Sequence, residues 1–369
     1  MLSFHPLRVA SVERVAEDAA CVTVEVPAAL RDSFAFHAGQ YVTVRRIIAG
    51  REERRTYSIV TPPGGSSLKL GIRLQTGGRM SGELAARLRR GDLLDVGTPM
   101  GRFRTAISAE REYSYVAFAA GSGITPILSL ATDILAREPR SRFTLIYGNR
   151  GISRTMFLEE TLALKNRHIE RFAVHFVMSR EPQQTEWLNG RIDGAKVREL
   201  AHHLSEIAAA DEYLICGPGD MVDAVRDAIK MLNSEAPIRF ERFAAAPGAD
   251  AARPVEGLPA VSAEAPAPAE PGRQGVLATI SVVMDGRRRS FPMATSDGSV
   301  LEAAERAGLE LPFSCRSGIC ATCRARITAG AAVMTHNIAL QPWETDAGFV
   351  LCCQARPTTA ALDISFDHK

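Results

Sequence analysis

The chain has 369 residues, too many for one ordinary core, so two or three domains are the starting expectation. It is 46% hydrophobic and 23% charged with a formal net charge of +2 and no long basic run, which excludes a polyelectrolyte built to wrap nucleic acid. Its seven cysteines form an odd count crowded toward one end, which favours metal ligation in a reducing compartment over a disulfide framework.

The opening "MLSFHPLRVASVERVAED" reaches charge quickly and carries no apolar h-region, so no signal peptide and a cytoplasmic location are expected. Residues 1–105 show short alternating runs ("CVTVEVP", "QYVTVRRI", "LKLGIRLQ", "DLLDVGTP") separated by glycine, proline and charge, a spacing that predicts an antiparallel β-barrel. Within it, "RRTYSIVTPP" places an arginine, an aromatic and a hydroxyl at i, i+2 and i+3. Arg55 suits a diphosphate, Tyr57 offers a flat face for stacking, and Ser58 offers a donor to a flavin ring nitrogen. The same residues also describe a strand with one exposed arginine and a core tyrosine. "GGRMSGELAARL" adds a glycine turn and puts Ser81 at a helix start, where phosphate is readily bound.

Residues 106–243 change texture. Apolar strands ("YSYVAFAA", "RFTLIYG", "RFAVHFVMS", "EYLICG") alternate with helical stretches, the pattern of an α/β domain with a parallel nucleotide-binding sheet. The most apolar run, "YVAFAAGSGITPILSLATDILA", is interrupted by Gly121, Ser122, Gly123, Pro126 and Asp133, so it reads as strand, turn and helix rather than a membrane span. Its two glycines would set backbone N–H groups and a helix N-terminus beside a diphosphate, although the full G-x-G-x-x-G is absent. "YLICGPGDMV" repeats the strand–glycine–helix logic, with Cys216 either beside a bound ring or simply a small core residue.

Residues 244–275 are dominated by alanine and proline and keep no periodicity, which marks a linker. It would reach roughly 100 Å as polyproline II, or about 30 Å as a flexible coil. Residues 276–369 then form a separate domain: a hairpin turning at Asp285-Gly286, a short helix stopped near Gly308, a cysteine loop and a last strand "ALDISFD", which suggests a β-grasp sheet.

That loop is "SCRSGICATC", with Cys315, Cys320 and Cys323 in C-x4-C-x2-C spacing, followed later by "FVLCCQARP". This spacing with a distant fourth cysteine is the pattern of a plant-type [2Fe–2S] cluster. Zinc sites more often pair C-x2-C units or recruit histidines, so zinc fits poorly. The fourth ligand is Cys352 or Cys353. Both lie in an apolar strand, where successive side chains face opposite ways, so only one can point at the cluster, but spacing does not choose.

Barrel with R-x-Y-S, sheet with G-x-G-x-T-P, then C-G-P, E-R-F and the cysteine loop: this order resembles the ferredoxin–NADP reductase superfamily with a fused C-terminal ferredoxin. "FHPLRVASVE", "FTLIYGNR", "GRIDG" and "GICATCRARI…GFVLCCQARP" are further similar to the family of phenylacetyl-CoA epoxidase reductases, which supply a di-iron oxygenase. The resemblance implies that Arg55, Tyr57 and Ser58 hold FAD, with Ser81 on its phosphates. It implies that Gly121, Ser122, Gly123 and Thr125 face a nicotinamide dinucleotide, with Cys216 and Gly217 beside its ring and Phe243 near the isoalloxazine. Ser58, Cys216 and Phe243 would then touch the reacting rings.

In such relatives the last cysteine of L-x-C-Q ligates, so the resemblance assigns Cys353 and leaves Cys352 spare. It also makes "VMSREP" a 2′-phosphate site, Ser179 and Arg180 selecting NADPH over NADH with Arg150 nearby. The parts together imply electrons running from NADPH to FAD to the cluster to a di-iron oxygenase, with the linker letting the ferredoxin domain move between donor and acceptor. Reductases of other ring or steroid hydroxylases share this architecture, and an iron–sulfur redox sensor is the alternative from another class. The last domain carries nine basic and nine acidic residues, so purely electrostatic docking is not expected; Arg316, Arg324 and Arg326 around the loop read equally as a partner site or a solvated rim.

Overall fold

The computed structural model describes residues 3–243, 275–340 and 342–367. It divides into two compact units, Leu2–Ala246 and Pro247–Lys369. Of the proposed linker, only Gly275 falls among the described residues.

The first unit opens with β1 (Phe4–Ala16), β2 (Ala19–Glu25), β3 (Tyr41–Ile48), β4 (Arg51–Ser58), β5 (Ser67–Arg73) and β6 (Leu93–Gly97). They pair antiparallel in the order β4-β3-β6-β1-β2-β5, and an Ile59–Leu70 bridge closes the barrel. Period-2 alternation explains the closure: Val22, Val24, Val42, Val44, Leu68, Leu70, Leu94 and Val96 all point inward to one core. Helix α1 (Arg79–Ala86) adds Met80 and Leu84 to that core.

The second half of this unit is a five-stranded sheet of β7 (Ser114–Ala120), β8 (Arg142–Asn149), β9 (Phe172–Met178), β10 (Glu212–Pro218) and β11 (Ile238–Phe243), parallel throughout, in the order β11-β10-β7-β8-β9. α2 (Ile124–Arg137) and α3 (Leu158–Arg167) cover one face; α4 (Gly194–His203) and α5 (Gly219–Leu232) cover the other. Both faces are apolar, as a doubly covered sheet requires: Tyr115, Ala117, Leu214 and Cys216 look one way, Val116, Phe118, Tyr213 and Ile215 the other. The first of these cores runs on into the barrel through Cys21, Val60 and Phe103, so barrel and sheet form one body.

The second unit holds β12 (Val276–Met284), β13 (Arg287–Ala294), α6 (Val300–Arg306), β14 (Arg324–Ala329), β15 (Ala332–Met334), α7 (Pro342–Asp346), β16 (Phe349–Leu351), β17 (Ala355–Pro357) and β18 (Ala361–Ser365). Its mixed sheet has the order β13-β12-β18-β14-β16, with β12 parallel to β18 and every other pair antiparallel. Asp285 and Gly286 both have positive φ, the geometry of a two-residue type I′ hairpin turn. Ser299 caps α6 by accepting from the N–H of Glu302. One expectation fails. Cys352 and Cys353 do not lie on a strand: β16 ends at Leu351, and the two cysteines sit in a turn closed by the Gln354 N–H donating to the Leu351 carbonyl at 2.8 Å. Among the described residues no helix is long and apolar enough to cross a membrane.

Candidate functional site

Four loops of the first unit meet at the C-terminal edge of the parallel sheet. β7 leads into a helix on one face and β10 into a helix on the other, so the crevice between their ends is the topological switch point where such sheets bind ligands. Gly121, Ser122 and Gly123 form a 3₁₀ turn there. A Cβ on Gly123 would lie 2.1 Å from the Cys216 carbonyl oxygen, so only glycine lets the two strand ends approach this closely. Tyr147 Oη donates at 3.0 Å to the Gly121 carbonyl, and Thr125 Oγ1 donates at 2.9 Å to that of Ser122, fixing the turn from both sides. Thr125 is therefore buried and spent on its own backbone. Gly217 stands beside Gly123 at the end of β10.

Cys216 is wholly buried, and the register of the sheet sets it opposite Glu241. Glu241 Oε2 is buried with no hydrogen-bond partner among the described residues. Burial pushes this carboxyl up to about 8; burial and then the Glu241 charge raise the Cys216 thiol. Phe243 closes β11 opposite Pro218, partly buried against the core shared with the barrel. Glu241 is the first residue of the "ERF" motif, whose weight in the sequence falls on Phe243; only the strand register sets its carboxyl opposite Cys216.

On the barrel side, Glu53, Arg55 and Tyr57 share one face of β4 while Ser58, buried, lies on the other and pairs with Tyr41. Arg55 donates to the Arg54 carbonyl at 2.7 Å and bridges Glu53 at 3.2 Å. Ser81 is buried in the first turn of α1. Its Oγ accepts from the Gln75 N–H at 3.1 Å and contacts the Gly78 carbonyl at 3.4 Å, so the hydroxyl shapes the turn, and only backbone N–H groups of the helix start are free to receive an anion.

At the far end of the crevice, Arg150 follows β8 and Arg180 follows β9. The Arg180 N–H donates to the Arg150 carbonyl at 2.9 Å, and Ser179 Oγ donates to the Asn149 carbonyl at 3.2 Å. Neither guanidinium has an ion-pair partner among the described residues, and the charge of Arg180 holds Arg150 below the usual arginine range. Two exposed cations held together without an ion pair of their own favour an anion.

The second unit carries the sulfur site. The N–H groups of Ser317, Ile319 and Cys320 each lie 3.4 Å from Cys315 Sγ. The Cys320 hydrogen bond and these N–H groups pull the Cys315 thiol down to about 5. Gly318 turns the loop at φ +75°, where a Cβ would meet the His336 carbonyl oxygen at 2.7 Å. The thiols stand as two hydrogen-bonded pairs, Cys315 with Cys320 and Cys323 with Cys353. Two pairs of thiols are what a [2Fe–2S] cluster asks for, with two thiolates to each of two irons. Gln354 Nε2 ties the halves together, reaching the Arg316 carbonyl at 2.9 Å and Cys353 Sγ at 3.7 Å. Cys352 is wholly buried in the apolar core, its thiol raised by burial.

The rim arginines are occupied. Arg316 forms a two-armed bridge to Glu305, Arg324 reaches the buried Glu344 at 2.5 Å, and Arg326 Nε donates to the Ala347 carbonyl at 3.1 Å. Glu199, part of a lone Glu-x-x-His, pairs with Lys196 on α4, while His203 stacks on Trp187 at 5.1 Å.

Comparison with known proteins matches each part. Residues 6–105 match the oxidoreductase FAD-binding domain family, residues 118–227 the oxidoreductase NAD-binding domain family, and residues 282–358 the 2Fe-2S iron-sulfur cluster binding domain family. The chain is 37% identical over 370 residues to one of the subunits of the 1,2-phenylacetyl-CoA epoxidase of Escherichia coli (strain K12), spanning 100% of this chain and 99% of that protein. It is 31% identical to the ferredoxin reductase component of 3-ketosteroid-9-alpha-monooxygenase from Rhodococcus rhodochrous, over 98% and 96% of the two chains. Among solved structures, phthalate dioxygenase reductase aligns with 99% of this chain and 98% of its own, at a TM-score of 0.55 and 22% identity. An intact type IV self-sufficient cytochrome P450 monooxygenase aligns at a TM-score of 0.65 and 18% identity; this chain spans only 41% of it.

Proposed function

The chain belongs to the family of oxygenase reductases that join an FAD domain, a nicotinamide domain and a [2Fe–2S] ferredoxin domain in one polypeptide, and on that premise we propose that it is the NADPH-dependent reductase of a di-iron phenylacetyl-CoA epoxidase. The class is plain: an oxidoreductase that carries electrons from a nicotinamide through FAD to an iron–sulfur cluster and on to an oxygenase. Bound FAD would supply the chemistry of taking one hydride, a two-electron carrier, from the nicotinamide and giving the two electrons up one at a time to the cluster. The protein's own task is positioning.

In this reading Arg55 and the N–H groups opening α1 hold the diphosphate, Tyr57 stacks on the flavin, and Ser58 donates to its ring. Ser81 acts by shaping the turn, with its hydroxyl already engaged. Gly123 keeps the switch point open, and Cys216, Gly217 and Phe243 line the ring pocket. Glu241, a carboxyl raised to about 8, adds a protonated donor beside Cys216 at neutral pH. Arg150, Ser179 and Arg180 take the 2′-phosphate, which favours NADPH over NADH. Cys315, Cys320, Cys323 and Cys353 hold the cluster. Both cysteines are buried, and Cys353 is favoured over Cys352 because its thiol is the one that hydrogen-bonds with Cys323.

The observation that carries the acceptor is the 37% identity maintained along the entire chain. Purified reductase is mixed anaerobically with NADPH and the oxygenase core of a phenylacetyl-CoA epoxidase; oxygen and phenylacetyl-CoA are then admitted and epoxide is quantified. Epoxide in step with NADPH consumed is the expected result. Reduced flavin and cluster without epoxide would leave the reductase in place and remove the acceptor. The full-length likeness to a steroid monooxygenase reductase names the next acceptor to try.

A further inference from the structure

Glu53 stands two residues before Arg55 on the same face of β4, and its two oxygens are divided between two guanidiniums. Oε2 lies 3.2 Å from Arg55, and Oε1 lies 3.2 Å from Arg79, the first residue of α1. Glu53 is the most enclosed of the three, its side chain 15% exposed against 45% for Arg55 and 53% for Arg79. One carboxylate thus spans a strand arginine and a helix-start arginine, at the place where β4 meets the N–H groups opening α1.

A two-oxygen anion bridging two arginines at a helix start is the chemistry a diphosphate presents. Same-face residues on a strand are ~7 Å apart, so Tyr57, Arg55 and Glu53 form a track that a stacked flavin and its diphosphate would follow in that order. Resting on the reading of Arg55 given above, we infer that Glu53 is an internal competitor of the FAD diphosphate: it holds Arg55 and Arg79 in place, and FAD must take both guanidiniums from it. Arg79 is then a second diphosphate-binding residue and Glu53 a positioning residue that limits flavin affinity. The exchange is anion for anion, with no covalent step. Ser81, which shapes the same turn, stays as it is.

The test is flavin titration of full-length protein stripped of flavin, followed by fluorescence quenching, with cluster content verifying the fold of each variant. Glu53→Gln should bind FAD about three- to tenfold more tightly, the worth of one or two half-exposed ion pairs. Riboflavin, which lacks the phosphates, should bind Glu53→Gln and the parent equally. Glu53→Asp, which keeps the charge, should stay near the parent. Arg79→Gln should weaken FAD, and Glu53→Gln in that background should gain less. Unchanged or weaker FAD binding by Glu53→Gln, or an equal gain for riboflavin, defeats the inference. Arg55→Ala separates the two levels: if it weakens FAD while Glu53→Gln gives no gain, only the competition is wrong, whereas no effect of Arg55→Ala removes the diphosphate reading and the inference with it.

Discussion

The two redox sites are built in opposite ways. In the second unit, three of the four proposed sulfur ligands fall within nine residues, and the loop supplies its own N–H groups to Cys315. In the first unit, Gly123, Cys216 and Phe243 come from segments far apart in sequence and are brought together because β10 lies between β7 and β11, while Arg55 stands on β4 of the barrel. A site built from one loop should fail all at once when a ligand goes. A site assembled from many strand ends should lose one function at a time.

The largest effect tests the compact site. Cys353→Ala is expected to abolish the visible absorption and the reduced-state magnetic resonance signal of the cluster while leaving flavin content unchanged. Cys352→Ala should retain both signals and cost only about 1 kcal/mol of packing. A cluster that survives Cys353→Ala and vanishes in Cys352→Ala would reverse the assignment.

The next effect tests the dispersed site. Gly123→Ala places a methyl 2.1 Å from the Cys216 carbonyl oxygen, where backbone must yield. A displacement near 1 Å at a reacting geometry costs roughly 100-fold in rate. Stopped-flow reduction of the flavin by NADPH should slow by about that factor, while dithionite still reduces the cluster normally. Parallel loss of both would mean that the two sites are not separable.

What could be read in advance follows the same division. C-x4-C-x2-C is a local spacing, and the strand–helix alternation of residues 106–243 is a local period, so both were visible in the sequence. The local conformation of Cys352 and Cys353 was not: the pair sits in a turn rather than on a strand, and the choice of Cys353 rested on the L-x-C-Q resemblance alone. The roles of Glu241 and Glu53 were hidden for a different reason. Each matters through a partner on another element, Cys216 for one and Arg79 for the other, and such pairings exist only once register and topology are set.

A smaller effect tests the outer edge of the dispersed site. Arg150 and Arg180 repel each other without an ion-pair partner among the described residues. Arg180→Ala should raise KM for NADPH about tenfold, the worth of a charge-assisted hydrogen bond, with kcat and the NADH constants nearly unmoved. An equal rise for both cofactors would place Arg180 on the shared diphosphate.

The last effect is on stability, and it separates the two regions once more. Glu241 titrates near 8 in the folded protein because burial disfavours its charge, against an ordinary value of 4.5. Between those values the folded protein holds a proton that the unfolded chain has released. Its contribution to stability is therefore complete below about pH 4.5, falls as pH rises, and is spent above about 8. One proton sets a ceiling of ~1.4 kcal/mol per pH unit, and partial exposure of the residue makes the true slope shallower. Glu241→Gln should flatten the decline in urea midpoint from pH 5 to 8, followed by flavin fluorescence, whereas the loss of cluster absorption should follow the same pH course in both proteins. A decline that persists in the glutamine variant would mean that another group carries it, and the buried carboxyl beside Cys216 would then be ionised at neutral pH.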